Sequence, residues 1–341
     1  MPPLEKENEA TQIPTYTWEE IKKHDKEGDA WVVKDGQVYD VSRFLGEHPG
    51  GSTIVMPHLG TDITEVFEDE DMHVHSNAAH AMFDRYRVGF LAGATVRTGK
   101  TEQSLIDYTK PIIAQVGGLG NKYSEYIHTP QVLDEPARFF SSDFLEFFSR
   151  TPWYIVPIVW LPVIVGLVIY SSQLGMSVPW IATVFLAGLV VWSILEYTLH
   201  RYLFHLDEWV EFSKWTITLH FLLHGVHHLL PMDPMRLVFP PVLTVLLLVP
   251  IHNAFRLFLD KPEAVCLTAG GLLGYVIYDL THYYLHHSGI PPLSYLGQLK
   301  TYHLAHHYKN PKLGYGITSK VWDYAFNTVL PTDDGPKAKV N

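Results

Sequence analysis

The 341-residue sequence predicts two fold classes in one chain: an α+β soluble head, then an all-α membrane domain of about four transmembrane helices. Three observations carry this. Residues 1–95 hold 8 Lys+Arg against 18 Asp+Glu, and the remainder 17 against 18, so an acidic head precedes a nearly neutral body. The segment WVVKDGQVYDVS (31–42) alternates apolar and polar residues around Asp35-Gly36, the signature of a β-hairpin. From residue 152 onward, apolar runs of about twenty residues, enough for a helix to cross a bilayer, alternate with histidine-rich segments.

In chain order, residues 1–13 read as a flexible, polar N-terminus without an apolar leader segment, so no cleaved signal is expected. Residues 14–93 form the head. Beyond the hairpin, ITEVFEDE (63–70) and NAAHAMFDRYRVGFL (77–91) carry helical spacing. Residues 94–150, broken by Gly117, Gly118 and Gly120 and poor in long apolar runs, read as a connector. The membrane domain is expected over 151–330, followed by a tail, 331–341.

Two hairpins organise that domain. PWYIVPIVWLPVIVGLVIY (152–170) is uncharged, and VPWIATVFLAGLVVWSILEYTLH (178–200) meets its first charge at Glu196. A weaker pair follows: LVFPPVLTVLLLVPIHNAF (237–255), in which Pro250 and His252 suggest a kinked or re-entrant helix, and AVCLTAGGLLGYVIY (264–278). With the head cytosolic, two out-and-back hairpins return 200–236 and 282–320 to the head's side, as the Lys and Arg distribution favours. Both histidine-rich segments then form a helical cap on one membrane face.

Composition restricts the chemistry. An acidic head repels nucleic acid, so no nucleic-acid partner is expected, and it suits a basic protein partner. The single cysteine, Cys266, rules out an intrachain disulfide and thiolate zinc sites. Histidines are concentrated in four groups: His200 and His205; His224, His227 and His228; His282, His286 and His287; His303, His306 and His307. The second and fourth have i, i+3, i+4 spacing, one face of a helix. His200 and His205 diverge on a regular helix, so that segment must bend or end between them. About ten imidazoles exceed the needs of one tetrahedral zinc, and no HExxH motif supports zinc hydrolysis. Two metals with about five nitrogen ligands each leave positions open for O2, and zinc, which binds such sites more tightly than iron, is the ion able to replace iron in purified protein.

The head segment YDVSRFLGEHPGGSTIV (39–55), followed by HSNAAHAMF (75–83), resembles cytochrome b5. That resemblance implies heme b with two axial histidines, His48 and His75; His73, two residues earlier, competes for the second position. Two axial imidazoles leave no open iron position, so the heme is expected to carry electrons singly. In the body, HGVHHLLPMDPMRLVFPP, YDLTHYYLHH and YHLAHHYKNPKLGYGITSKVWD resemble the fatty acid 2-hydroxylases of sphingolipid synthesis, within the membrane fatty acid hydroxylase superfamily.

The resemblance covers nearly the whole chain. It implies an endoplasmic reticulum membrane enzyme that hydroxylates C2 of long acyl chains destined for ceramide, using O2, two iron ions and electrons that a reductase delivers to the heme. Carried over by position, the metal ligands are His200, His205, His224, His227, His228, His282, His286, His303, His306 and His307; His287 fits less well. His220 reads as a packing or supporting residue and His252 as structural. Asp279, one turn before His282, is expected to orient a ligand or the substrate, and Tyr275 and Tyr278 to line the acyl entrance. Two other readings remain: a desaturase using the same boxes, and a non-enzymatic membrane heme carrier with structural zinc.

Overall fold

The hairpin forms where the alternation places it. Strand β3 (Asp29–Lys34) pairs antiparallel with β4 (Gln37–Asp40) in the register Val33↔Val38 and Lys34↔Gln37. Asp35 and Gly36 take φ of 50° and 75°, the left-handed pair that a two-residue turn between twisted strands requires. In this computed structural model the described residues are 14–45, 48, 52–68, 75, 79–80, 83–94, 105–131, 133, 136–209, 213–288 and 294–331. They divide into two units, Met1–Glu102 and Gln103–Asn341.

The first unit is a five-stranded sheet of order β1-β5-β4-β3-β2, completed by β1 (Thr15–Tyr16), β2 (Asp25–Lys26) and β5 (Arg87–Leu91). Alternation along β3 sends Ala30 and Val32 into one apolar cluster, with Tyr39, Phe44, Leu59 and Phe83. Val33 joins Ile21 and Val38 in another. The helical expectation over 77–91 is corrected here. Helix persists around His80, a 3₁₀ turn follows at Asp84–Tyr86, and Arg87–Leu91 is a strand between β1 and β4. Its apolar residues fit both periods, and pairing on both edges decides for the strand.

In the second unit, α1 (Ile155–Gln173), α2 (Val178–Thr198) and α4 (Lys261–His287) are apolar enough to cross a membrane, with α2 continued as helix to Phe204. Helix α3 (Pro241–Phe255) has 15 residues, about 22 Å against a hydrocarbon core of about 30 Å. It starts later than the apolar run because Pro240 and Pro241 cannot continue a helix from before. The last long helix is α5 (Ser294–Tyr308). Helices α1 and α2 expose Ile158, Val165, Ile169, Leu186 and Val190, while Trp153, Tyr170 and Trp180 stand exposed near their ends. That is the dress of lipid-facing helices with aromatic interfacial belts.

Helix α4 is the buried one, and glycines explain why. A Cβ at Gly270 would sit 2.0 Å from the Phe185 carbonyl oxygen, one at Gly188 would meet the Leu267 carbonyl at 2.4 Å, and one at Gly274 would strike Trp192. Two backbones at that distance exclude side chains. Gly270→Leu is therefore expected to destabilise the bundle by about 3 kcal/mol, the upper end for overpacking. Gly166→Ala on α1, where no atom lies within 4 Å, leaves it unchanged. Thermal unfolding of detergent-solubilised protein distinguishes the two.

The expected connector is structured over its described residues from 105 onward. Ile106, Ile112, Val116, Tyr123 and Ile127 form one buried core with Ile217, Phe221 and Leu229. Its apolar residues come singly or in short pairs, so no long run announces them. Residues 1–13 and 332–341 lie outside the described residues.

Candidate metal centre and heme site

Each histidine group is aimed by a local feature of its helix. At the end of α2 the backbone widens into a π-turn at Leu199–Phe204, and the His205 N–H donates to the His200 carbonyl at 3.1 Å. Five residues then make one turn, so the two rings meet at 5.1 Å between centroids, and the helix stops at His205. A second π-turn, Phe221–Gly225, precedes Val226–Leu229 and carries His224 round to His227 and His228. Gly225 has to be small there: a Cβ would lie 2.4 Å from the Tyr123 hydroxyl. Helix α4 delivers His282 and His286 on its last turns, and α5 delivers His303, His306 and His307.

The ten rings gather into two groups. His227, His282, His286, His303 and His307 each offer a ring nitrogen within 4.8 Å of the others, and so do His200, His205, His224 and His228. His306 joins the second set, its Nε2 at 3.1 Å from that of His205. All ten are buried. His287 stays apart against Tyr283.

The nitrogen spacing tests whether an ion fits. His303 Nε2 lies 2.9 Å from Nε2 of His282, 2.8 Å from that of His286 and 3.1 Å from that of His307. A neutral ring nitrogen is a donor or an acceptor and cannot satisfy three such neighbours. Nitrogens about 2.1 Å from a shared ion and at right angles sit about 3.0 Å apart. Both ring nitrogens of His227 and Nε2 of His200 are buried without a hydrogen-bond partner among the described residues. Burial, reinforced by neighbouring imidazoles, holds His224, His227, His228, His303 and His307 well below the ordinary imidazole range. Neutral rings with converging lone pairs suit metal ions.

Backbone carbonyls fix some of these rings from behind. His200 Nδ1 donates to the Tyr315 carbonyl at 2.6 Å, and His306 Nδ1 to Leu313 at 2.7 Å, which turns each Nε2 inward. The Tyr315–Ile317 loop is itself clamped. Asp323 accepts from the N–H groups of Tyr315 and Gly316 at 3.0 and 2.9 Å, and Glu196 accepts from those of Ile317 and Thr318 at 3.1 and 2.8 Å. Asp323→Ala is expected to lower metal affinity about 10- to 100-fold through His200, read by chelator competition.

His220 is supporting: its Nδ1 accepts from Tyr123 and its Nε2 donates to the Phe204 carbonyl. His252 pairs with Thr268 at 2.8 Å, away from both groups. Asp279 accepts from the Phe239 N–H and the Tyr275 hydroxyl, each at 3.2 Å, and bonds to no histidine among the described residues. With Tyr275 and Tyr278 it lines an apolar cavity of about 320 Å³ that reaches His224, His227 and His282. Sequence reasoning missed His128, whose ring is parallel to that of His205 at 6.0 Å, and Glu196 and Tyr315. A lone histidine and a carbonyl leave no sequence signal; Glu196, as the first charge in an apolar run, did.

In the head, His48 lies edge-on to Phe44 at 5.5 Å. His75 stacks on Phe67 at 4.0 Å, with Nδ1 3.0 Å from the Phe67 carbonyl. Both aromatics belong to the sheet's apolar cluster, where a flat macrocycle finds an apolar wall. His73 and the Pro49-Gly50-Gly51 turn lie outside the described residues.

Fold and site define a heme-binding head joined to a histidine-clustered membrane hydroxylase body. Residues 17–92 match the cytochrome b5-like heme/steroid binding domain family, and 185–328 match the fatty acid hydroxylase family. The fatty acid 2-hydroxylase of Rattus norvegicus is 36% identical over 95% of this chain and 97% of its own length. The ceramide very long chain fatty acid hydroxylase SCS7 of Saccharomyces cerevisiae is 35% identical over 96% and 97%. A solved structure of full-length scs7p, with only the hydroxylase domain visible, has 41% identity and a TM-score of 0.63, covering 67% of this chain and 86% of that one. The chain belongs to the fatty acid 2-hydroxylase family, with a cytochrome b5 domain at its N-terminus.

Proposed function

We propose that this protein inserts one oxygen atom of O2 into the C2–H bond of long acyl groups of ceramide. The other atom leaves as water, and two electrons and two protons are consumed. The observation that carries this is the pair of five-imidazole groups at one end of an apolar cavity. The relatives' names, fatty acid 2-hydroxylase and ceramide very long chain fatty acid hydroxylase, support the reaction and the ceramide acyl substrate, the very long chain being a property of the second protein alone.

His227, His282, His286, His303 and His307 hold one ion, and His200, His205, His224, His228 and His306 the other. Two irons bound there supply O2 activation and hydrogen removal at C2. The apolar walls exclude water and hold the acyl chain extended, with C2 facing His224, His227 and His282. Asp279, tied to Tyr275, orients the polar end beside Tyr278. His48 and His75 would hold the heme, which would supply one-electron transfer, and the acidic surface of the head would dock the reductase that donates to it. Helix α3, together with the apolar residues that flank it at 237–240 and 257–259, makes a fourth membrane passage, with head and histidines facing the cytosol at the endoplasmic reticulum. The test is expression in cells lacking 2-hydroxylated sphingolipids: acyl chains gaining one oxygen support the reading, and chains losing two hydrogens would make the enzyme a desaturase.

A further inference from the structure

The cavity has a direction and a floor. On α4 its lining residues are His282, Asp279, Tyr278, Tyr275, Leu272, Gly271 and Thr268, steps of one to three residues that draw one stripe down a single helix face. The opposite wall follows α3 from Thr244 through Leu248 and Ile251 to Phe255. The His252–Thr268 hydrogen bond sets the two helices at the same depth there. Beneath, Phe255 packs on a buried cluster of Met176, Val184, Cys266 and Leu267, so the cavity stops.

We infer that this channel measures acyl length, and that Gly271, Thr268 and Phe255 set its limit. The inference rests on the hydroxylase reading above. From His282 to Thr268 is fourteen residues, about 21 Å of helix. An extended chain advances about 1.25 Å per methylene, given C–C bonds of about 1.5 Å, so about sixteen carbons fit beyond C2. Chains of about eighteen carbons fill the channel, and much longer ones would have to displace Phe255. Gly271 is the adjustable position. Among the described residues, a Cβ there would meet within 4 Å only the Gly188 carbonyl oxygen, at 3.7 Å, so the helix seam admits a first side-chain carbon, and the rest of a larger side chain would take up channel space.

The test compares 2-hydroxylated acyl lengths made by wild type, Gly271→Leu and Phe255→Ala in cells supplied with acyl chains of twelve to twenty-six carbons. Wild type is expected to favour about eighteen carbons over twenty-four. Gly271→Leu lowers the ratio of eighteen- to fourteen-carbon product at least about tenfold, since Gly271 lies eleven residues, about 16 Å, from His282. Phe255→Ala raises the share of products above twenty carbons. Heme and metal content establish that each variant is folded, and if Gly271→Leu is not, Phe255→Ala decides. Identical length profiles in folded, active proteins would overturn the inference. If wild type makes no 2-hydroxylated product, the hydroxylase reading fails. The channel is then tested without turnover, by thermal stabilisation of the nanodisc-embedded protein with saturated fatty acids: a maximum near eighteen carbons supports it, and a response that ignores length overturns it.

Discussion

Replacing His303 by alanine is expected to abolish acyl 2-hydroxylation, at least about 100-fold, and to cost the protein one bound metal ion. Residues behind metal ligands already cost about 10- to 100-fold, so a central ligand costs more. The reason is local. Its Nε2 is the nitrogen that His282, His286 and His307 all approach within 3.1 Å, so its removal opens one side of that group. The second group keeps its five rings. Elemental analysis beside product mass separates the account from simple misfolding: heme stays, one ion goes and the hydroxyl is not made. Loss of heme together with the metal would point to global unfolding instead.

Replacing His48 by alanine should have the complementary effect. The heme absorbance of the purified protein disappears, the non-heme metal content is unchanged, and cellular 2-hydroxylation falls at least about tenfold, as the proposed one-electron route through the heme requires. His75→Ala follows the same pattern, its ring being held between Phe67 and the Phe67 carbonyl. If His48→Ala abolishes heme but leaves hydroxylation at wild-type level, the fused head is not the electron route.

Much of this was legible in the sequence because the governing signals are local. Asp35-Gly36 demands a left-handed turn, and the structure places a two-residue hairpin there. The spacing of His224, His227 and His228, and of His303, His306 and His307, is a helix-face pattern that needs no tertiary knowledge. The divergence of His200 and His205 on a regular helix called for a break, and the backbone supplies a π-turn. What was not legible depends on distant partners. The strand at Arg87–Leu91 is decided by edges more than forty residues away in β4 and β1. The segment read as a connector joins a core whose other half lies near Phe221. The Tyr315 carbonyl behind His200 has no side-chain signature, and Asp279, expected to touch a histidine or the substrate, faces the Phe239 N–H and the Tyr275 hydroxyl in the cavity wall.

Counting the non-heme metal of the purified full-length protein is the most direct test of the central claim, that ten buried imidazoles form two separate ion sites. Two transition-metal ions per chain are predicted, iron or the zinc that displaces it, dropping to one in His303→Ala and also to one in His224→Ala. A wild-type protein with one such ion, or none, at full heme occupancy would contradict the account.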